Sequence, residues 1–232
     1  MLRGAVVLWA LLSCTNACAQ VSGSATLVSD YRFRGISLSD GQPAAQLGLA
    51  WERDDGWYAG AFASSTRLYG HPGTQLLTYL GYAHRLPDGL SWEAGAEYAA
   101  FSRYPGDNYP EFYLGLASDT LSGRLYYAPR YFSEDTAAFY AELNGTHALD
   151  ERFRLQGHVG WLQRSGHGAD ADCGAEQRRF DARAGIGARL GEGFDLQLAR
   201  VASKGSGGCY SGYPASREAD DGRWILSVSW IW

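Results

Sequence analysis

The chain has 232 residues, 46% of them apolar, and a formal net charge of −5. This is enough for one domain or one barrel, and the acidic balance leaves no basic footprint for nucleic acid. Mean hydropathy is only −0.27, so the apolar residues are plentiful yet dispersed.

Met1 to Ala19 reads as a secretory signal. Arg3 is its positive start, Ala5 to Leu12 a short apolar core, and Ala17-Cys18-Ala19 an A-x-A cleavage site. Cleavage there leaves residues 20–232 as the mature chain. A rival reading takes Leu11-Leu12-Ser13-Cys14 as a lipobox with Cys14 lipidated. Beyond Ala19 no apolar run approaches the roughly twenty residues of a membrane helix, so the mature chain is either soluble or a closed barrel. Two cysteines remain, Cys173 and Cys209. An isolated pair in an oxidising compartment predicts one disulfide.

The first mature stretch, Val21 to Ser37, alternates throughout. Val21, Gly23, Ala25, Leu27, Tyr31 and Phe33 fall on one face, and Ser22, Ser24, Thr26, Asp30, Arg32 and Arg34 on the other. Period two predicts a strand, long enough for the roughly nine to eleven residues of a tilted membrane strand. Beginning within it, Leu27 to Gln46 (LVSDYRFRGISLSDGQPAAQ) resembles the opening signature of a proteobacterial outer-membrane porin family often called TorF, echoed at Trp57–Ala61 and Tyr109–Gly115. That resemblance implies a β-barrel, a signal peptide and the outer membrane. It implies no catalytic residue and names no substrate.

Eleven further strands follow from the residues themselves. Pro43–Glu52 places Ala45, Leu47, Leu49 and Trp51 on one face, and Arg53-Asp54-Asp55-Gly56 is a tight turn. Trp57–Ser65 and Gln75–Arg85 are strands of ambiguous facing, joined by a loop over Arg67–Gly73. After the turn Leu86–Gly89, Leu90–Phe101 alternates clearly, and Tyr109–Ala117 follows. Leu121–Phe132 contains Pro129, which predicts a bulge or a gap in pairing. Thr136–Ala148, Phe153–Gln163, Arg179–Leu190, Phe194–Ala202 and Arg223–Trp232 complete the set. Short turns alternate with longer loops, as in outer-membrane barrels. The fold expected is an antiparallel up-and-down β-barrel of about twelve strands, with short periplasmic turns and longer external loops.

Aromatics sort to strand ends, as the two bilayer interfaces favour: Trp51, Trp92, Phe153, Phe194, Trp230 and Trp232 at one, and Tyr31, Phe33, Tyr98, Phe112, Trp161, Phe180 and Trp224 at the other. The inferred lumen carries Arg32, Arg34, Arg124, Arg130, Arg154, Arg183 and Arg189 beside Glu52, Glu93, Glu97, Glu111, Glu142, Asp181 and Asp195. Such charges must be paired or hydrated. They make either a constriction selecting small polar solutes or a salt-bridged plug. No metal-ligand spacing relates His71, His84, His147, His158 and His167, no G-x-S-x-G occurs, and no cofactor is expected. An acyl hydrolase pairing His147 or His158 with a serine is the enzymatic alternative. The expected partners are outer-membrane lipids, lipopolysaccharide, small polar solutes and the barrel-assembly machinery.

Overall fold

The computed structural model describes residues 19–132, 136–166, 176–205 and 222–232. Twelve strands close one antiparallel barrel in chain order. They are β1 (Ala19–Val28), β4 (Ala44–Arg53), β5 (Trp57–Leu68), β6 (His71–Arg85), β7 (Ser91–Phe101), β8 (Tyr109–Ala117), β9 (Leu121–Ala128), β10 (Thr136–Ala148), β11 (Phe153–Gly166), β12 (Glu176–Gly191), β13 (Phe194–Gly205) and β14 (Arg223–Ile231). A small hairpin of β2 (Arg32–Phe33) and β3 (Ile36–Ser37) stands apart from them. Closure is made by β1 against β14, where Thr26 faces Ser229 and their hydroxyls lie 2.8 Å apart.

Alternation decides the facing of every strand, and the result is inverted relative to a soluble protein. Leu27, Leu47, Leu114 and Leu125 are 58–68% exposed, whereas Gln75 and Glu111 are at most 1% exposed. An apolar outer surface of this extent needs an apolar environment to cover it. The two ambiguous strands resolve as well. Tyr58, Gly60 and Phe62 of β5, and Gln75, Leu77 and Tyr79 of β6, are the inward set. Ala59, Ala61, Leu76 and Leu80 are the outward one.

One end of the barrel carries the start of β1, the end of β14 and the short turns. In one of these turns the Asp150 carboxylate accepts the amides of Arg152 and Phe153 at 2.8 and 2.6 Å. Those two bonds hold its pKa below the usual carboxylate value. The other end carries the longer connections, with one exception. The expected loop over Arg67–Gly73 is instead a continuation of β5 and β6, joined through Tyr69 and Gly70 alone. Both have positive φ, 52° and 77°, the backbone that a two-residue hairpin turn requires. Pro129 does not sit inside a strand: β9 stops at Ala128, because proline cannot donate to the ladder.

The largest departure from the expected fold concerns Val21–Ser37. It is not one strand. After Val28 the chain leaves the wall and folds into the lumen. Asp30 is buried and accepts hydrogen bonds from Arg32 Nε, Ser37 Oγ and Ser39 Oγ. Arg34 and Gly35, at φ 50° and 78°, reverse the chain. Gly35 sits where a Cβ would approach the Cβ atoms of Asp181 and Ser203 to 2.6 and 2.7 Å, and its carbonyl accepts the Ser203 hydroxyl. Tyr31 and Phe33 therefore do not join an aromatic belt. Tyr31 is buried, donating to Gln75 Oε1 at 2.7 Å. The segment is tied to β5 through the Arg67 amide, which donates to the Leu38 carbonyl.

Around this segment lies the apolar core, at the loop end. Leu38, Leu68, Phe101, Tyr109, Tyr131 and Phe132 are all buried there. Tyr109 meets Tyr131 and Phe132 with ring centroids 4.9 Å apart in each case.

Candidate functional site

The lumen has two chemically different halves. Consecutive strands β5 to β10 contribute inward tyrosines, Tyr58, Tyr79, Tyr113, Tyr126 and Tyr140, interleaved with the carboxylates of Glu93, Glu97, Glu111 and Glu142. The wall from β13 through β14 and β1 to β4 contributes short hydroxyls and amides, among them Thr26, Gln46, Gln197, Ser227 and Ser229. Among the described residues, cavities of about 520 and 650 Å³ lie in this interior. Phe62, Leu77 and Glu97 line both of them. The smaller borders the inward segment; the larger reaches Glu52, Arg53 and Gly56 at the turn end.

Most of the charges expected in the lumen are there, and most are paired. Arg154 of β11 holds Asp195 of β13 by two bonds of 2.7 Å. Arg124 of β9 binds Glu93 of β7 through Nε and Nη2, at 2.5 and 3.1 Å. Glu93 also accepts the Tyr58 hydroxyl at 2.6 Å. Glu142 accepts from Tyr126, Glu97 lies opposite Glu111 in register, and Glu52 lines the larger cavity. Arg189 is opposite Asp195 across β12 and β13. Arg183 projects into the smaller cavity and forms no ion pair among the described residues. Arg32 and Arg34 are in the lumen but belong to the inward segment, not to the wall. Arg130 is exposed beyond the end of β9.

Asp181 is joined to His158 and Tyr140. His158 Nε2 lies 2.8 Å from Asp181 Oδ1, and its Nδ1 2.7 Å from Asn144 Oδ1. Tyr140 hydrogen bonds to Asp181 and lies 3.2 Å from His158 Nε2. Both ring nitrogens of His158 are thus engaged without a serine. His147 is exposed, on the opposite parity of β10 from the lumen-facing Tyr140, Glu142 and Asn144. Among the described residues no cluster of three metal-ligating side chains occurs. Cys173 and Cys209 lie outside the described residues.

Asp30 and the tyrosine series were missed as site residues. Asp30 looked like one polar position in an alternating strand. Tyr58 and Tyr79 lie on strands whose facing alternation leaves ambiguous. The available signal was glycine at the facing position, Gly81 opposite Tyr58, Gly60 opposite Tyr79 and Gly95 opposite Tyr113.

No curated protein matches the chain. Among solved structures, the KdgM porin is similar with a TM-score of 0.50 at 10% identity, over 90% of this chain and 97% of that one. The NanC porin is similar with a TM-score of 0.52 at 11% identity, over 91% and 98%. At such identities the likeness is one of fold. The TorF name suggested by Leu27–Gln46 is not the one that the matching family model carries. That model, described as a bacterial protein of unknown function (Gcw_chp), matches residues 14–231, and the chain belongs to that family.

Proposed function

We propose that this protein is an outer-membrane channel for passive diffusion of small polar solutes. The observation that carries the reading is the inverted barrel itself. Leucines cover its outer surface, and a charged interior holds two cavities that share lining residues. Fold likeness to the KdgM and NanC porins supports it. In this reading the turn end is periplasmic and the loop end external. Arg32, Arg34, Arg154, Arg183, Arg189, Glu52, Glu93, Glu97, Glu142 and Asp181 set the electrostatics of the passage. The chain is exported with cleavage near Ala19, is inserted by the barrel-assembly machinery, and meets lipid and lipopolysaccharide with its outer face. A structural barrel with a blocked lumen is the second reading. The packing of Leu38, Phe101, Tyr109, Tyr131 and Phe132 around the inward segment favours it.

Reconstitution in planar bilayers separates the two. Discrete, salt-dependent conductance steps are the expected result. Purified barrel that inserts, shows heat-modifiable gel mobility and never conducts would replace the channel with the blocked barrel.

A further inference from the structure

We infer that the barrel wall holds a binding site for a small guanidinium-bearing cation, filled here by the chain's own Arg34. The wall supplies the carboxylates and two of the rings around that guanidinium, with Tyr131 added from the connection after β9 and Phe33 from the segment itself, 4.7 Å from Arg34 Cζ. Glu111, 1% exposed on β8, accepts Arg34 Nη1 and Nη2 through its two oxygens at 2.8 and 2.7 Å. Fork-to-fork pairing of this kind reads the planar guanidinium rather than charge alone. The Arg34 Cζ lies 4.5 Å from the ring centroid of Tyr140, 5.0 Å from that of Tyr126 and 5.6 Å from that of Tyr131. Rings at these distances favour a cation over their faces. Across the ladder, Glu97 adds a second carboxylate opposite Glu111. Two facing carboxylates repel and are matched by a cation between or beside them.

Arg34 itself is not part of that wall. It stands at the tip of the β2–β3 hairpin, on the segment running from Ser29 to Pro43, and it lines the smaller cavity. The segment thus acts as a tethered ligand, holding its guanidinium at high effective concentration. A solute bearing the same group competes for Glu111 and the tyrosines, and winning displaces the segment from the lumen. The site deepens the channel reading, which it needs only for the solute's route and for the consequence of displacement.

The test begins with Arg34→Gly in detergent. Glycine adopts the left-handed backbone at this position freely, so the substitution empties the cage without new strain. The probes are methylguanidinium, urea as its neutral relative, and tetramethylammonium as a cation without N–H donors. Millimolar methylguanidinium is expected to raise the melting temperature of Arg34→Gly saturably by several degrees. Urea and tetramethylammonium should not, and the added change Glu111→Gln should abolish the effect. Equal responses to methylguanidinium and urea would overturn the site. Should Arg34→Gly not fold, the wild-type barrel carries the test through chymotryptic cleavage at Tyr31 and Phe33, located by mass spectrometry. Methylguanidinium should raise cleavage there several-fold and urea should not; no difference between them would overturn the competition. Methylguanidinium binding to a barrel that never conducts would remove the channel and leave the site standing.

Discussion

Tyr58 on β5 and Gly81 on β6 face each other across the ladder, and the tyrosine ring occupies the space that a Cβ on Gly81 would need. Two residues along, Gly60 and Tyr79 repeat the arrangement in reverse. Gly95 accommodates Tyr113, and Gly160 accommodates Tyr140. An inward tyrosine laid over a neighbouring glycine keeps its bulk against the wall. Gly81→Ala and Gly95→Ala should therefore push a ring inward, at a cost on the order of 1–3 kcal/mol for overpacking. Gly157 on β11 has nothing within 4 Å of its Cβ position. Gly157→Ala should be neutral or stabilise by up to about 1 kcal/mol. Urea unfolding in lipid vesicles checks the contrast; equal costs for all three would show that the rings do not depend on the glycines.

The same pairs explain which strands were legible. Phe153–Gln163 could be read directly, because Leu155, Val159 and Trp161 alternate with Arg154, Gln156 and His158. Trp57–Ser65 could not. Its outward residues Ala59, Ala61 and Ala63 are small, while inward Tyr58 and Phe62 are aromatic, so both faces look apolar. The inward segment was hidden for a different reason. Alternation through Tyr31 and Phe33 mimics a belt-ended strand, and the partners that pull the segment inward are remote. Glu111 is 77 residues from Arg34, and Ser203 is 168 from Gly35. Local pattern carries no record of such contacts. The ion pairs were half legible: parity places Arg154 and Asp195 in the lumen, but only the barrel's register brings them together.

Asp30 fixes the inward segment, and its loss should loosen it. Its carboxylate accepts from Arg32, Ser37 and Ser39, all within ten residues along the chain. Asp30→Asn removes the charge from those bonds, at about 1.5–3 kcal/mol for a charge-assisted one. The expected outcome is a lower melting temperature together with a larger unitary conductance. Asp40, exposed at φ 56° within the same segment, provides the control. Asp40→Asn should leave both quantities near wild type, since asparagine tolerates that backbone. Unchanged conductance in Asp30→Asn would show that the segment does not limit the passage.

The two mature cysteines should be joined. The connection holding Cys173 leaves the barrel after Gly166 and returns at Glu176. That holding Cys209 leaves after Gly205 and returns before Arg223. Both depart from the loop end, on alternate hairpins of one rim. A bridge closing about three dozen residues is worth on the order of 3–4 kcal/mol in the chain-entropy model. Non-reduced peptide mapping should recover a Cys173–Cys209 pair, and reduction should lower thermal resistance. Two thiols that stay free under oxidising conditions would exclude the bridge.

Arg183 should dominate ion selectivity among the wall arginines. Arg124 and Arg154 are each held by a carboxylate, so their charges are largely neutralised at the wall. Arg183 faces the smaller cavity with no ion pair among the described residues. The same cavity is lined by the uncharged Ser227, Ser229 and Gln46 and by the carboxylates of Asp181, Glu97 and Glu142, none of which pairs with Arg183 among the described residues. Arg183→Glu changes the local charge by two while leaving the ion-pair network intact. The reversal potential in a salt gradient should move toward cation preference, and the shift should shrink at high salt as the Debye length falls to about 3 Å at 1 M. Arg67 supplies the control: it is exposed near the loop end of β5 and donates to the Gly70 carbonyl. Arg67→Glu makes the same charge change outside the lumen and should leave the reversal potential almost unmoved. Equal shifts from the two variants would mean that a field at the mouth, rather than Arg183 within the lumen, sets the selectivity.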